Sequence, residues 1–373
     1  MSCNEVDRSR FLSNPLNART NRVFIERDAV PVDAEPRGLS DRTMETVREA
    51  VARIVRARKN GKAVILAFGA HAIKNGLGLV IKKLIGDGWV THLATNGAGV
   101  IHDWEIAYQG ATSEDVRANV ESGRFGAWQE TGLFINLAIA VGAYEGLGYG
   151  ESIGKMIHTD GLQVPSEAEL IQAAKQCGTN PDLSAAAADL LATIRGQAIA
   201  AGPVSVRHPF KEYSIQAAAY RLEVPFTGHP MIGHDIIYNH PANNGGAVGR
   251  TGVRDYLTFA NSVAGLDGGV YLSVGSAVMS PMIFEKAFSL CQNLAIQKGG
   301  RIGDHYIMVV DLAKQTDEWT DNKEPPPSSS SYYLRHVKTF SRMGGTMRYV
   351  CADGRDVLLA LSMGLPKHID PKV

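Results

Sequence analysis

Short apolar runs alternate along the chain with longer segments in which apolar residues recur every three to four positions. The short runs are rich in Val, Ile and Leu and have the length of buried strands; they lie at 63–68, 89–94, 224–227, 269–274, 305–311 and 347–351. The periodic segments predict helices at 72–84, 213–221, 252–264, 283–298 and 355–363. Strands that alternate with helices of this length are typical of a parallel sheet with helices on both faces. The pattern therefore predicts a doubly wound, mainly parallel α/β fold.

Two parts of the chain depart from this alternation. Residues 1–40 are irregular and rich in Arg, Asp, Asn and Pro, and we expect them to form an N-terminal arm that lies on a neighbouring subunit or is partly disordered. Residues 41–373 form a single α/β domain, and a block of helices at 165–201 predicts a helical insertion near 150–200. Two local features of that domain are a short helix capped by Thr112 or Ser113 and an exposed, low-complexity loop or lid at 315–331.

Composition excludes several classes of function. The 373 residues contain 38 Lys and Arg against 38 Asp and Glu, so the formal net charge is zero. Proteins that bind nucleic acid or anionic membranes without further specificity usually carry excess positive charge, and we expect neither partner. No apolar run approaches the roughly 18 residues of a membrane span, and the N-terminus lacks the apolar core of a secretory signal. The four cysteines form no CxxC pair, which suits a cytoplasmic protein.

Glycines stand where the predicted strands end. Glycine accounts for 39 of the 373 residues, and the turns after three strands contain Gly69, Gly97 and Gly275. The carboxyl ends of parallel strands are where backbone amides and helix starts meet negatively charged ligands. Three such turns on one sheet favour a bound dinucleotide or similar cofactor over tight turns alone.

The densest group of polar residues is HPMIGHDIIYNH at 229–240. His229, His234, Asp235 and His240 are all able to bind a metal ion, but the segment has neither HExxH nor HxH spacing. Two interpretations stay open here, a metal-dependent hydrolase and a hydrogen-bonded loop at a strand end, and we assign no metal ligand. If the sheet winds as predicted, one cleft collects six titratable side chains: His71, His102, Asp103, His229, His234 and Asp235.

Taken in order, four segments resemble the deoxyhypusine synthase family: 63–105 with its TNGAG turn, 212–238, 250–287 with GLDGGVYLSVGSA, and 349–361 with YVCADG. The resemblance covers roughly residues 45–365. It implies a Rossmann-like, NAD-binding fold and a homotetramer with cofactor sites at a subunit interface. It also implies chemistry in which NAD takes a hydride from spermidine and an active-site lysine captures the aminobutyl group.

The resemblance transfers roles to particular positions. Those that match the family's turns and acidic landmarks imply contacts with NAD: Gly69, Ala70, His71, Thr95, Asn96, Gly97, Asp103, Gly275, Ala352 and Asp353. Catalytic roles are implied for Lys338, His102 and Asp235. Lys338 is the nearest counterpart of the family's lysine, although it lies about two residues further from the Ala352-Asp353 landmark than the family's pattern requires.

The chain departs from the family around the polyamine site. The family's Lys-His-His sequence is replaced by Val278, Met279 and Ser280, and its acidic residues have only Asp317, Glu318 and Asp321 as possible substitutes. We therefore expect an NAD-binding transferase or oxidoreductase that acts on an amine or polyamine-like small molecule other than the family's usual substrates. The non-enzymatic alternative is an oligomeric protein that keeps the fold without the activity.

Overall fold

A computed structural model describes residues 4–314 and 322–367 of the chain. These residues fall into two compact units, each built from three segments of the sequence. We name the first the sheet unit; it comprises Arg27–Gly99, Ala218–His229 and Asp255–Val373. We name the second the helical unit; it comprises Met1–Glu26, Val100–Ala217 and Pro230–Arg254. That residues 41–373 fold as a single domain stays a prediction.

The strands and helices follow one another through the described part of the chain. The strands are β1 (Asn21–Phe24), β2 (Val64–Phe68), β3 (His92–Asn96), β4 (Ala111–Glu114), β5 (Gly161–Val164), β6 (Gly202–Ser205), β7 (Phe226–His229), β8 (Val270–Val274), β9 (Tyr306–Asp311) and β10 (Thr346–Cys351). The helices are α1 (Ile25–Asp28), α2 (Asp41–Lys59), α3 (Ala70–Lys74), α4 (Gly78–Gly86), α5 (Gly97–Gln109), α6 (Val116–Glu121), α7 (Gln129–Glu145), α8 (Tyr149–Thr159), α9 (Glu167–Ala174), α10 (Pro181–Gly196), α11 (Ile215–Arg221), α12 (Gly245–Ala264), α13 (Met279–Gln297), α14 (Arg335–Ser341) and α15 (Gly354–Gly364).

The sheet unit is built on six parallel strands in the order β10-β9-β8-β2-β3-β7. Numbered by their appearance in this sheet, the strands run third, second, first, fourth, fifth and sixth from the β7 edge. This is the strand order of the Rossmann fold, in which the first and fourth strands lie side by side. The predicted fold class is therefore confirmed.

Burial on both faces explains why these strands are continuous apolar runs. Every residue of β2 and of β8 is buried, as expected for parallel strands covered by helices. On one face Tyr271, Phe284 and Phe340 pack together, with ring centroids 4.4–5.7 Å apart. Ser40 begins α2 by accepting a hydrogen bond from the Thr43 amide, a role in which serine is strongly preferred.

The helical unit is organised around α7, in which every residue from Ile135 to Ala143 is buried. It packs against α8 and α10, and two short antiparallel pairs, β1 with β4 and β5 with β6, lie in the same unit. The helices α8, α9 and α10 lie in the region near 150–200 where a helical insertion is predicted, and Ser166 caps α9. Within the described residues no single helix is both long and apolar enough to cross a membrane, and α7 with α8 reaches that threshold only as a pair bent by 109°.

Several local predictions are wrong for identifiable reasons. The segment 72–84 is two helices, α3 and α4, because Gly76 takes a φ of +76° between them. Residues 111–114 are a strand, and the cap of α6 is Asp115, which accepts a hydrogen bond from the Ala118 amide. Residues 21–24, predicted to be irregular, pair with that strand. Residues 315–321 of the predicted lid lie outside the described part of the chain.

Candidate functional site

A cleft of about 230 Å³ lies at the carboxyl ends of the sheet unit's strands. Its walls come from the turn after β2, the ends of β8 and β9, and the turn between β10 and α15. The lining residues are His71, Ala72, Asn75, Leu77, Val274, Gly275, Val310, Asp311, Leu312, Ala352, Asp353, Gly354 and Arg355. Of the residues predicted to contact a cofactor, the structure thus brings His71, Gly275, Ala352 and Asp353 to one cleft, with Gly69 and Ala70 in the turn beside it.

Glycines allow the turns to approach one another where β2 and β8 lie side by side. The Gly69 amide donates to the Val274 carbonyl at 3.1 Å, and a Cβ on Gly69 would overlap the carbonyl oxygen of Gly275. Gly275 has a φ of +57°, in the left-handed region that favours glycine. A Cβ on Gly354 would lie 2.8 Å from Cγ1 of Val274. This point, where the strand order reverses, is the place at which doubly wound sheets bind their ligands.

The polar groups of the cleft are dominated by two carboxylates. Asp353 caps α15 and forms an ion pair with Arg355 at 2.7 Å, so its charge is compensated. Asp311 ends β9, and its Oδ1 accepts a hydrogen bond from the Ala313 amide at 3.0 Å. Partial burial, followed by the nearby Lys74 ammonium, lowers the pKa of His71. His71 is therefore neutral near pH 7, and the titratable side chains that line the cleft carry a net charge of about −1.

The cleft suits part of a dinucleotide. Pockets that enclose a drug-sized ligand usually measure about 300–1,000 Å³, so a cleft of about 230 Å³ is smaller than a site that encloses a whole ligand. The carboxylates of Asp311 and Asp353 can accept hydrogen bonds from ribose hydroxyls. The net negative charge of the lining also favours a positively charged group, such as an oxidised nicotinamide ring. The tight approach of Gly69 to Gly275 is the feature that a Cβ would destroy.

The turn after β3 holds the next three predicted contacts. The Thr95 hydroxyl is buried and donates to the Phe68 carbonyl at 2.8 Å. Oδ1 of Asn96 accepts a hydrogen bond from the Gly99 amide at 2.8 Å, which caps the start of α5 at Gly97. These bonds join β3 to β2 and to its own helix. The three residues are outside the set that lines the cleft, and their contact with a cofactor stays a prediction.

Asp103 and His102 are neighbours on α5 but bond to different groups. The Asp103 carboxylate is buried, and it accepts hydrogen bonds from the Ser214 hydroxyl at 2.7 Å, the Ile215 amide at 2.9 Å, and the amide and side chain of Gln216. Burial raises the pKa of Asp103, and these donors act in the opposite direction. Nδ1 of His102 lies 2.7 Å from the Thr112 hydroxyl. These hydrogen bonds anchor the start of α11 to α5, so the Asp103 carboxylate has a structural role.

Asp235 is the predicted catalytic residue whose ionisation is most strongly altered. Burial raises its pKa to about 6 against a weak hydrogen bond from the Ile237 amide at 3.3 Å. The Tyr238 hydroxyl is also buried, without a hydrogen-bond partner in the described chain. Its pKa is raised by burial and then by the neighbouring Asp235. A carboxyl group half protonated near pH 6 has the ionisation that general acid–base catalysis needs.

The histidines of 229–240 do not gather around a metal site. His229 belongs to a buried chain in the sheet unit: its Nε2 lies 2.9 Å from the Thr227 hydroxyl, which lies 3.0 Å from Nε2 of His92. His240 bonds within the helical unit, to the Gln129 side chain and the Ala242 amide. Across residues 4–314 and 322–367, no three His, Cys, Asp or Glu side chains are grouped so as to hold a metal ion. Nothing here favours the metal-dependent hydrolase.

Lys338 lies on α14 of the sheet unit. Its Nζ is 3.4 Å from the centre of the Tyr332 ring, a close cation–π contact. Arg342, one turn later on the helix, pairs with Glu324. Lys338 is outside the set of residues lining the cleft. The acidic residues predicted to replace those of the family, Asp317, Glu318 and Asp321, lie outside the described residues.

Sequence reasoning missed Asp311, Arg355 and Asn75, all of which line the cleft. A signal was available for the first, because Asp311 is the last residue of a predicted buried strand. Asn75 sits in the Asn-Gly turn that divides α3 from α4, where a continuous helix was expected. Arg355 comes two positions after Asp353 of the Ala-Asp landmark, and its position at the start of α15 places it beside Asp353.

Comparison with known proteins gives distant likenesses only. No family model and no curated protein matches the chain. It is similar to an arginine dihydrolase of the ornithine-ammonia cycle in cyanobacteria, 13% identical over 86% of this chain and 32% of that one, with a TM-score of 0.42. A conserved putative LOR/SDH protein from Methanococcus maripaludis is 12% identical over 90% of this chain and 73% of that one, at a TM-score of 0.41. A putative deoxyhypusine synthase from Entamoeba histolytica is 10% identical over 87% and 89%, at 0.37. The chain spans about a third of the dihydrolase, and the fold assignment rests on its own strand order.

Proposed function

We propose that the cleft binds NAD and that the protein is a deoxyhypusine synthase-like transferase or oxidoreductase acting on an amine or polyamine-like small molecule. The observation that carries this proposal is the close approach of Gly69 and Gly275 where β2 meets β8. That point of a Rossmann sheet is the usual dinucleotide site. The proposal of an amine substrate rests on the resemblance of the sequence to the deoxyhypusine synthase family.

NAD, when bound, supplies a hydride acceptor. The chain's part is to orient the cofactor and to exclude water from it. Val274, Val310 and Leu312 give the cleft apolar walls, and Asp311 and Asp353 offer carboxylate oxygens for hydrogen bonds. The contacts of Ala70, Ala352 and the Thr95–Gly97 turn with the cofactor belong to the same proposal.

Among the predicted catalytic residues, Asp235 has the strongest physical support for moving a proton. Its pKa of about 6 lets both protonation states exist near neutral pH. His102 shares a hydrogen bond with Thr112, which in turn donates to Glu105 at 2.5 Å. Lys338 is the proposed amine-capturing residue by resemblance, and it would have to leave the Tyr332 ring to act as a nucleophile.

Isothermal titration calorimetry with NAD tests the proposal. We expect a dissociation constant in the low-to-mid micromolar range, roughly −7 to −8 kcal/mol. Ala352→Leu fills the cleft and should weaken binding at least about tenfold, whereas Ala188→Leu, on the exposed surface of α10, should leave binding unchanged. No heat and no thermal shift with millimolar NAD would overturn the proposal and favour a non-catalytic protein.

By the same resemblance to the deoxyhypusine synthase family we propose that the protein is a homotetramer. Light scattering coupled to size-exclusion chromatography tests this oligomeric state.

A further inference from the structure

We propose that a buried chain of hydrogen bonds in the sheet unit relays protons between the surface of α12 and the carboxyl end of β7. Its members are Ser262, His92, Thr227 and His229, and we call it the histidine chain. The proposal goes beyond the proposed function and does not depend on NAD, because no member of the histidine chain lines the cleft at β2 and β8.

Three contacts make the histidine chain continuous. Nδ1 of His92 lies 2.8 Å from the Ser262 hydroxyl. Nε2 of His92 lies 3.0 Å from the Thr227 hydroxyl, which in turn lies 2.9 Å from Nε2 of His229. All three distances are those of ordinary hydrogen bonds. Hydroxyl and neutral imidazole groups can each donate and accept, so every link can pass a proton in either direction.

The two ends of the histidine chain lie at different places on the sheet unit. His92 is the first residue of β3, and Ser262 beside it on α12 is only half-buried. His229 is the last residue of β7 and remains 7% exposed. Its Nδ1 has no hydrogen-bond partner among the described residues, so this nitrogen is left to meet water or a ligand. The carboxyl end of the strands is where sheets of this kind bind ligands.

Apolar packing isolates the middle of the histidine chain. His92 and Thr227 are buried. The ring of Phe259 meets both imidazoles edge to face, with centroids 5.6 Å from His92 and 5.3 Å from His229. Burial lowers the pKa of both histidines to about 3, so both rings are neutral near pH 7. A charged ring is costly in such surroundings, so a proton must leave one nitrogen as another arrives at the opposite nitrogen.

The Thr227 hydroxyl has a single proton to share between two imidazoles. Its other acceptor, the Leu93 carbonyl, is 3.5 Å away and therefore weaker. When the hydroxyl donates to His229, Nε2 of His92 must carry a proton and donate to the hydroxyl; the roles reverse when the hydroxyl donates to His92. The histidine chain thus has two arrangements, in which the two rings hold opposite tautomers.

Passage from one arrangement to the other moves one proton. Water gives a proton to the Ser262 oxygen while Ser262 passes its own to Nδ1 of His92. Nε2 of His92 protonates Thr227, and Thr227 protonates Nε2 of His229. Nδ1 of His229 releases its proton to an acceptor at the strand end, which is water in the free protein. As many O–H and N–H bonds form as break, the charge of the histidine chain is unchanged, and the reverse passage restores the first arrangement.

Exchange of the His92 ring proton with water tests the relay. NMR of ¹⁵N-labelled protein at pH 7 measures this rate, and loss of signals in His92→Gln and His229→Gln assigns the two rings. The internal reference is the Leu93 amide, which donates to the Pro225 carbonyl at 2.9 Å. We expect the ring proton to exchange at least about a hundredfold faster than this amide, because a strand amide of the core exchanges only when the structure opens.

Two variants interrupt the relay. Ser262→Ala removes its end at α12, and Thr227→Val breaks its middle. Each should slow exchange of the His92 ring proton at least about tenfold, because the proton can then leave only through a charged ring or by opening of the structure. Thr227→Val leaves Ser262 in place, so it distinguishes a relay from water that reaches His92 directly. Thr251→Val, a matched control, removes a buried α12 hydroxyl that bonds to the Ala247 carbonyl and should leave the rate unchanged.

The direction of the effect excludes a simple loss of stability, because a destabilised protein opens more often and exchanges faster. A native ring proton that exchanges at the rate of the Leu93 amide overturns the relay and makes these hydrogen bonds structural. An unchanged rate in Thr227→Val or in Ser262→Ala also overturns it. Should Thr227→Val fail to fold, His229→Gln takes its place: its amide cannot pass a proton through, so it should slow the His92 ring proton as well, and an unchanged rate overturns the relay.

Discussion

The guanidinium of Arg19 and the carboxylate of Glu105 form a two-pronged ion pair, with nitrogen–oxygen distances of 2.7 and 2.8 Å. The two side chains are 2% and 1% exposed. Thr112 and Thr131 also donate hydroxyl hydrogen bonds to Glu105. Burial acts to raise the pKa of Glu105, and the charge and hydrogen bonds of Arg19 outweigh it, so this pKa lies below its usual range. The pair ties the N-terminal segment to α5 within the helical unit.

Arg19→Met should lower the free energy of unfolding by about 3–5 kcal/mol, because Glu105 would remain buried without its partner. Arg22→Met is the matched control. Arg22 pairs with Asp115, but the two side chains are 61% and 44% exposed, and such pairs contribute about 0–1 kcal/mol. Urea denaturation of both variants measures the difference. Equal losses in the two variants would show that burial of the Arg19 pair has no energetic consequence.

Gly69→Ala should destabilise the protein by about 1–3 kcal/mol, because the added Cβ overlaps the Gly275 carbonyl and forces the two turns apart. The same change at Gly86, the last residue of α4, meets no atom within 4 Å. Gly86→Ala should therefore be neutral or stabilising by up to about 1 kcal/mol. Thermal unfolding of both variants provides the measurement. A Gly69→Ala protein as stable as the native one would mean that the turns have room to separate.

Part of this molecule is readable from local sequence. The strands of the central sheet are continuous apolar runs because they are buried on both faces. Such runs can be recognised in the sequence without knowing which strands pair with one another. Strand ends that carry glycine identify Gly275 and its neighbours, since a left-handed φ restricts the residue type. The cap at Ser40 follows from the same local chemistry. These features depend on residues close together in the sequence.

Other features depend on residues far apart, and local patterns do not contain them. The strand β4 is the polar sequence ATSE, and it forms because β1, some ninety positions earlier, supplies its hydrogen bonds. Asp103 has the residue type of a ligand-binding acid, yet donors at 214–216 occupy it. Asp311 lines a cleft only because the turns after β2, β8 and β10 lie beside the end of β9. Tertiary contacts thus decide which polar residues remain free for chemistry.

The buried pair His92 and His229 makes stability depend on pH. Burial lowers the pKa of each to about 3, against about 6.5 in the unfolded chain. Between these values the unfolded chain binds protons that the folded chain does not. The free energy of unfolding should therefore fall as the pH drops below about 6.5, by at most about 1.4 kcal/mol per pH unit for each histidine. Above that pH these groups contribute no pH dependence.

Denaturation curves at pH 8, 7, 6 and 5 measure this slope. His229→Gln keeps a hydrogen-bonding side chain beside Thr227 but does not titrate, so the slope between pH 6 and 5 should be reduced by up to that amount. His234→Gln is the control, because His234 is exposed. If His229→Gln and the native protein show the same slope, the acid sensitivity arises elsewhere.

Asp235 should act in the opposite direction. Burial raises its pKa from 3.8 to about 6, so the folded chain holds a proton that the unfolded chain has released between these two values. The free energy of unfolding therefore falls as the pH rises from about 4 to 6, and the cost persists at pH 7. Asp235→Asn removes this cost and should stabilise the protein at pH 7 by about 2–3 kcal/mol, and by little at pH 3.5. Asp33→Asn, at an exposed position, should change stability by less than about 0.5 kcal/mol at either pH. Urea denaturation at the two pH values gives all four numbers, and a gain of equal size at both would mean that packing, rather than the buried charge, limits stability at Asp235.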